Sequence, residues 1–296
     1  MDKKITVIGA ANVDIIATPA SAYVRGESNP GHVHIGYGGV GRNIAHNLCL
    51  LGTNVRFITA IGDDTSGAAM LADCRNVGMT VDPVLRIAGA RSNYFICIND
   101  EHGEMQGGIA DMELVNRLTA DTVAEYIDVI NAGDAVVCDC NIDETVLWLL
   151  SQRSAVPMYV DATSAAKAVK LLPLLSLPHR SPFIIKVNRA EAEALSGQTD
   201  VSLAARWFIE HGATRIYITL GSDGVLCRDC AGETRLEAIP ITVVNVTGAG
   251  DAFMAAVVAA EARGATMNEA ATQGLQAAAI TLQCDNAVSD NIKLIN

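Results

Sequence analysis

Positive charge is scarce in this sequence: 21 Lys and Arg stand against 33 Asp and Glu, a net charge of −12 over 296 residues. Binding to a nucleic-acid polymer rests on neutralising phosphates with clustered cations. That class of partner is therefore disfavoured, and a small ligand is expected. Long apolar runs are missing too: none reaches the roughly 18 to 20 residues that cross a bilayer, so no membrane partner is expected. The opening stretch MDKKITVIGAANVDII carries Gly9 and Asp14 inside its apolar part. It reads as a buried first strand rather than a signal peptide, with a cytoplasmic location as the expectation. Metal-site cysteine pairs are also lacking. Cysteines stand at 49, 74, 97, 138, 140, 227, 230 and 284, and only Cys227 and Cys230 have a metal-like or redox-like spacing. Without a second such pair or a His at finger spacing, free thiols in a reducing compartment are expected. The histidines form no ligand or triad pattern.

What is present is apolar content of 50% in a chain long enough for one large core. Short apolar runs alternate with helix-length segments: ITVIG, VRFITAIG, AVVCDC, PMYVD, FIIKVN and RIYITLG, most ending at Gly, Asp or Asn. Such a rhythm predicts an α/β fold, a mostly parallel sheet with crossover helices. Residues 14–37 and 90–108 break it and read as strands or hairpins inserted as a lid beside the main sheet. From Ala249 onward the chain is alanine-rich and helical, with Gly264 as a C-terminal stop. No repeat, linker or low-complexity tract divides residues 1–296, so a single domain is expected.

Gly36-Tyr-Gly38-Gly39-Val-Gly41 satisfies the G-x-G-x-x-G pattern of a dinucleotide-binding turn. In that fold the turn directly follows the first strand, and an acidic residue stands roughly 20 positions later. Asp63 and Asp64 mimic the second condition, but ITVIG runs into Ala10-Ala-Asn12-Val-Asp14 instead of a glycine turn. A nicotinamide oxidoreductase is thus disfavoured. The glycines either let backbone approach another ligand, with Asn43 at the start of the following helix, or form a tight strand-to-helix turn.

Asn245-Val-Thr247-Gly248-Ala249-Gly250-Asp251 then leads into the apolar stretch AFMAAVVAA. Backbone N–H groups of Gly248, Ala249 and Gly250 at a helix start can hold an anion without a positive side chain, which suits a phosphoryl group in transfer. Phosphates would repel an aspartate placed there. Taking a proton from an attacking hydroxyl would give Asp251 a reason to stand in that place, although it also reads as a first-turn helix acid favoured by the dipole.

GGVGRN and NVTGAGD, in this order and about 200 residues apart, resemble the two signatures of the ribokinase (PfkB) family of carbohydrate and nucleoside kinases. Asn12-Val-Asp14, Lys186-Val-Asn188-Arg-Ala-Glu191 and Thr219-Leu-Gly221-Ser-Asp-Gly224 fall in register with that family, so the resemblance spans the whole chain. Ser28-Asn-Pro-Gly31, Asp111-Met112 and Asp139-Cys-Asn141-Ile resemble its pseudouridine-kinase branch.

The resemblance implies a ribokinase-like sheet with a small β lid, and ATP-dependent phosphorylation of the 5′-hydroxyl of pseudouridine. Ribose or another nucleoside is the alternative acceptor, and a non-catalytic ligand sensor is disfavoured by the retained Asp251, Gly248 to Gly250 and Glu191. By the same resemblance Asp251 is the base and Gly248, Ala249 and Gly250 form the anion hole. Asn12, Asp14, Gly38, Gly39 and Asn43 meet the acceptor, as does Asn141. Asn188, Thr219, Gly221 and Gly224 serve ATP, and Glu191 organises Mg2+ and its waters. From the residues alone, Asp14 also reads as a turn residue, NRAEAEAL as a helix start, and Thr219 to Gly224 as a hairpin turn. Residue 245 is Asn where the family usually has Asp, which weakens the case for a K+ site. Val187 replaces a usual Pro. Lid edges in the family can pair between subunits, implying a homodimer.

Overall fold

The computed structural model describes residues 3–82 and 84–295. All six apolar runs contribute to one eight-stranded sheet. Its parallel part runs in the order Asn54–Ile58, Lys4–Ile8, Ala135–Asp139, Met158–Asp161, Phe183–Asn188, Arg215–Thr219. An antiparallel pair that the apolar runs did not reveal, Val225–Asp229 and Gly232–Leu236, completes the edge. Both faces are covered, so nearly every strand position is apolar. Alternate side chains enter opposite cores. Ile8, Val136, Val160, Ile185 and Ile216 meet the helices Glu144–Arg153, Arg189–Ser196 and Val201–Glu210. Val7, Phe57, Val137, Tyr159 and Tyr217 meet Val40–Leu50, Ala249–Ala262 and Met267–Thr281.

The helix Ala249–Ala262 is buried continuously from Asp251 to Ala260. A helix apolar all round must be buried all round, and small residues let it lie between the sheet and two neighbouring helices. The Phe253 ring lies over Gly274, where a Cβ would come within 2.7 Å of it. Phe253→Ala would cost about 3 to 5 kcal/mol. The helix stops at the expected place, with Arg263 as its C-cap and Gly264 left-handed at φ 94°.

The run VRFITAIG splits. After Ile58 the chain leaves the main sheet, and Ala60–Gly62 pairs with Leu85–Ile87. The segments that broke the rhythm form a separate four-stranded sheet ordered Gly31–Gly38, Asn12–Pro19, Tyr94–Asn99, Met105–Asp111. Its register sets Asp14 beside Gly36 and Phe95, and Ile15 beside Ile35 and Ile96. Side chains alternate across a strand, so Asp14, Ile16, His34, Phe95 and Cys97 share one face. Ile15, Ala17, Val33, Ile35, Ile96, Ile98 and Ile109 share the other. Among the described residues, no helix is long and apolar enough to cross a membrane. All eight cysteines are free thiols, with Cys227 buried and Cys230 exposed.

Candidate active site

In an open α/β sheet, ligands bind beyond the carboxyl ends of the strands. Here those ends carry Asp139, Asp161 and Asn188, with Asp161 paired in register to both Asp139 and Lys186. Two helices begin at this edge, Val40–Leu50 and Ala249–Ala262. The second has Gly248 as N-cap at φ 82°, a left-handed conformation that favours glycine, and no side chain caps it. The amides at Ala249 and Gly250 thus have no intrahelical partner. Asp251 lies in that first turn.

Asp251 is buried, and its Oδ2 accepts a hydrogen bond of 2.9 Å from Asn43 Nδ2. Burial, reinforced by the nearby carboxylates of Asp161 and Asp139, pushes its carboxyl up to about 7, against the opposing pull of Asn43 and Lys186. Lys186 Nζ lies 2.9 Å from Asp161 Oδ2 with both side chains buried. Burial alone would pull this ammonium down, yet Asp161, Glu191 and Asp251 hold it above the usual lysine range. A Cβ at Gly250 would come within 2.7 Å of Lys186 Nζ. The buried cation therefore lies directly against the start of the helix.

The residues expected to meet an acceptor gather on the other side of Asn43. A cleft of about 290 Å³ is lined by Asp14, His34, Asn43, His46 and the segments around Thr247 and Ala287. Asn12 Nδ2 donates to Asp14 Oδ1. Burial raises the Asp14 carboxyl to about 6, opposed by Asn12, Arg42 and His34. A side chain at Gly38 would run into the Asp14 carboxylate. Gly39, the N-cap of the Val40–Leu50 helix, has φ 99°. Asp139 fastens this corner: it accepts from the amides of Ala10 at 2.9 Å, Gly41 at 2.7 Å and Asn141 at 2.8 Å. Asn141 is buried, and its Oδ1 accepts from Lys167 Nζ.

Asn188 and Glu191 form a capping box. Asn188 Oδ1 accepts from the Glu191 amide at 2.9 Å, and Glu191 takes Asn188 N and Nδ2 at 2.8 Å each. The helix-start reading of NRAEAEAL is thus realised, and burial raises the Glu191 carboxyl. Thr219, Gly221 and Gly224 form the turn into the antiparallel edge, closed by Leu220 N to Gly224 O at 2.8 Å. Among the described residues, no group of three His, Cys, Asp or Glu is spaced to hold a metal. Asn245 Nδ2 donates to the Asp285 carbonyl at 2.8 Å, and its Oδ1 accepts from the Thr247 amide at 2.9 Å.

Asp161 and its pairing with Lys186 were missed by motif reading, although a charge closing an otherwise apolar strand, as in PMYVD, is the signal that marks it. Asn29 and Asn93 have structural partners. Asn29 closes its own turn, and Asn93 bonds Ala11 O and the Leu114 amide.

Residues 2–294 match the pattern of the pfkB family carbohydrate kinases. The chain belongs to this family. It is 36% identical to the pseudouridine kinase of Escherichia coli (strain K12), over 99% of this chain and 94% of that protein. It superposes on a carbohydrate kinase from Agrobacterium tumefaciens with a TM-score of 0.85 at 32% identity, covering 99% of this chain and 96% of the other. The fold also matches an Arabidopsis thaliana ribokinase complexed with ribose and ATP, with a TM-score of 0.83 at 20% identity over 99% and 98% of the two chains. Family membership makes this chain a carbohydrate or nucleoside kinase, a phosphotransferase. The expected ribokinase-like architecture is borne out.

Proposed function

We propose that this kinase transfers the γ-phosphoryl group of ATP to the 5′-hydroxyl of pseudouridine. The observation that carries the chemistry is Asp251, buried at a helix start and held by Asn43, which also lines the cleft containing Asp14. Asp251 takes the hydroxyl proton, and the freed oxygen attacks phosphorus as the bond to ADP breaks. Amides of Ala249 and Gly250, with Lys186 beside them, meet the charge developing on the transferred group. Asp14 holds the ribose hydroxyls, and Asn12 keeps its carboxylate oriented.

Glu191 fits a magnesium ion of the kind that retains its water shell. Both its oxygens are already engaged by Asn188, so it would meet the ion through waters. Bound there, magnesium would neutralise phosphate charge. Asn245 supports a site that does without potassium, because residue 245 carries no carboxylate and its amide oxygen already accepts from the Thr247 amide.

Pseudouridine as acceptor is supported by the similarity to the Escherichia coli enzyme of that name. The small sheet serves as the lid, its Asp14 face turned to the acceptor and Phe95 beside Asp14 as a surface for the base. Its opposite face is apolar and exposed, Val33 and Ile35 at 64% and Ile109 at 68%, which supports a homodimer through the lids. Pseudouridine keeps N1–H and N3–H free, whereas uridine has only N3–H. An acceptor facing the extra donor would favour pseudouridine over uridine by about 5- to 150-fold, the equivalent of roughly 1 to 3 kcal/mol. The test is kcat/KM for pseudouridine, uridine and ribose with saturating ATP and magnesium. Equal or better turnover of uridine or ribose overturns the acceptor while leaving the kinase intact.

A further inference from the structure

A helix ends in partial negative charge, so a glutamate in its last turn is disfavoured. The helix Ala249–Ala262, with Asp251 in its first turn, nevertheless carries Glu261 in its last, and the Glu261 side chain is only 8% exposed. Three donors converge on it. Tyr159 Oη donates to Oε2 at 2.6 Å, Tyr217 Oη donates to Oε1, and Arg215 Nη1 lies 2.6 Å from Oε1. Arg215 in turn pairs with Asp229 at 3.0 Å. Burial, together with the Glu261 charge, raises both tyrosine hydroxyls well above their usual range, so they remain donors.

The partners are not scattered. Tyr159 stands two residues before Asp161, and Tyr217 two residues before Thr219, on the same strands and facing the same side of the sheet. Glu261 stands ten residues after Asp251, roughly 15 Å along one helix. Between them, two residues on from Asp251, the Phe253 ring meets Tyr217 edge-on at 6.0 Å. One carboxylate therefore fixes how far the helix slides along the strands that end in Asp161 and Thr219. At the other end, Asp251 faces Asp161, Lys186, Asp139 and Asn43.

We propose that Glu261 is a positioning residue for phosphoryl transfer: by anchoring the far end of the helix to Tyr159, Tyr217 and Arg215, it sets the placement of Asp251 against the Asp161–Lys186 pair. The proposal rests on Asp251 as the base. A displacement of about 1 Å at a reacting group can cost up to roughly 100-fold in rate.

The experiment compares wild type, Glu261→Gln, Tyr217→Phe and Asp251→Asn, measuring kcat and KM for both substrates across pH 5.5 to 9 on protein verified as folded. Glu261→Gln should lower kcat by about 10- to 100-fold with both KM values within about twofold, and should displace the acid limb of the kcat profile. Tyr217→Phe removes one bond and keeps every charge, so it should move both quantities the same way by less, and it decides the matter if Glu261→Gln does not fold. A lower melting temperature with wild-type kcat and an unmoved acid limb in whichever of these variants folds would overturn the proposal. Activity surviving in Asp251→Asn would instead overturn the base assignment on which it rests.

Discussion

Asn43 and Asp251, 208 residues apart in the chain, meet through a 2.9 Å hydrogen bond between amide and carboxylate. The contact joins the two glycine-rich motifs at one point. It also orients one carboxylate oxygen and, on the role proposed for Asp251, leaves the other to take the proton.

Replacing Asp251 with Asn keeps the shape of the side chain but removes the proposed acceptor of the hydroxyl proton. Loss of a general base typically costs on the order of 10² to 10⁴ in rate. Turnover of Asp251→Asn should fall by that factor while ATP binding, read by calorimetry, remains. Near-normal turnover in a sequence-verified sample would refute the role.

The raised Asp251 carboxyl has a consequence for both rate and stability. Only the ionised form accepts a proton, so kcat should decline as pH falls through about 7. For stability the sign is the reverse of an ordinary ion-paired aspartate. The folded value, about 7, lies above the ordinary 3.8, so between these the folded state holds a proton that the unfolded state has lost. Its stabilising contribution is present below pH 3.8 and is lost as pH rises to about 7. Denaturant melts of wild type and Asp251→Asn should show Asn gaining relative stability from pH 5 to pH 8, by an amount on the order of a few kcal/mol. A constant difference across that range would contradict the assignment.

Asn245 makes a cation test possible. With its amide already joining the Thr247 turn to the Asp285 carbonyl, residue 245 offers no carboxylate to a cation, so potassium should change wild-type activity by less than about twofold at constant ionic strength. Asn245→Asp removes that donor and adds a charge. Titrating both proteins with potassium should show the stronger response in the variant, and a stronger response in wild type would count against this account.

The two faces of the small sheet should separate under mutation. Phe95→Ala should lower kcat/KM for a nucleoside by about 5- to 150-fold, the range of base–aromatic stacking at roughly 1 to 3 kcal/mol, and leave ribose turnover nearly unchanged. Ile35→Glu puts a charge on the opposite face and should shift the protein to a monomer in sedimentation velocity. If Phe95→Ala affects ribose and nucleoside alike, base contact is not its role. If the wild type already sediments as a monomer, the lid dimer is wrong.

Much of the main sheet was legible because a strand buried on both faces must be apolar throughout, and ITVIG, AVVCDC, PMYVD and FIIKVN have that form. GETRL does not, since Gly232–Leu236 is an edge strand with exposed residues. VRFITAIG reads as one strand, but Thr59 turns its carbonyl to the Leu85 amide at 3.0 Å, a partner no local pattern announces. Single members of the candidate site could be picked out by their motifs. Their pairings could not, because Asp161 meets Lys186 only through strand register, and Asn43 meets Asp251 only through helix packing.

The site gathers helix starts, free amides and a buried lysine within a chain of net charge −12. Attraction for a polyanion is thus local, and the field seen from farther away has the opposite sign. Beyond about 8 to 10 Å at physiological salt that outer field is screened. Diluting the buffer lengthens its reach, so ATP should be captured more slowly at low ionic strength and faster as salt is added, until the short-range contacts themselves begin to weaken. An enzyme steered by a cationic rim would show the opposite trend.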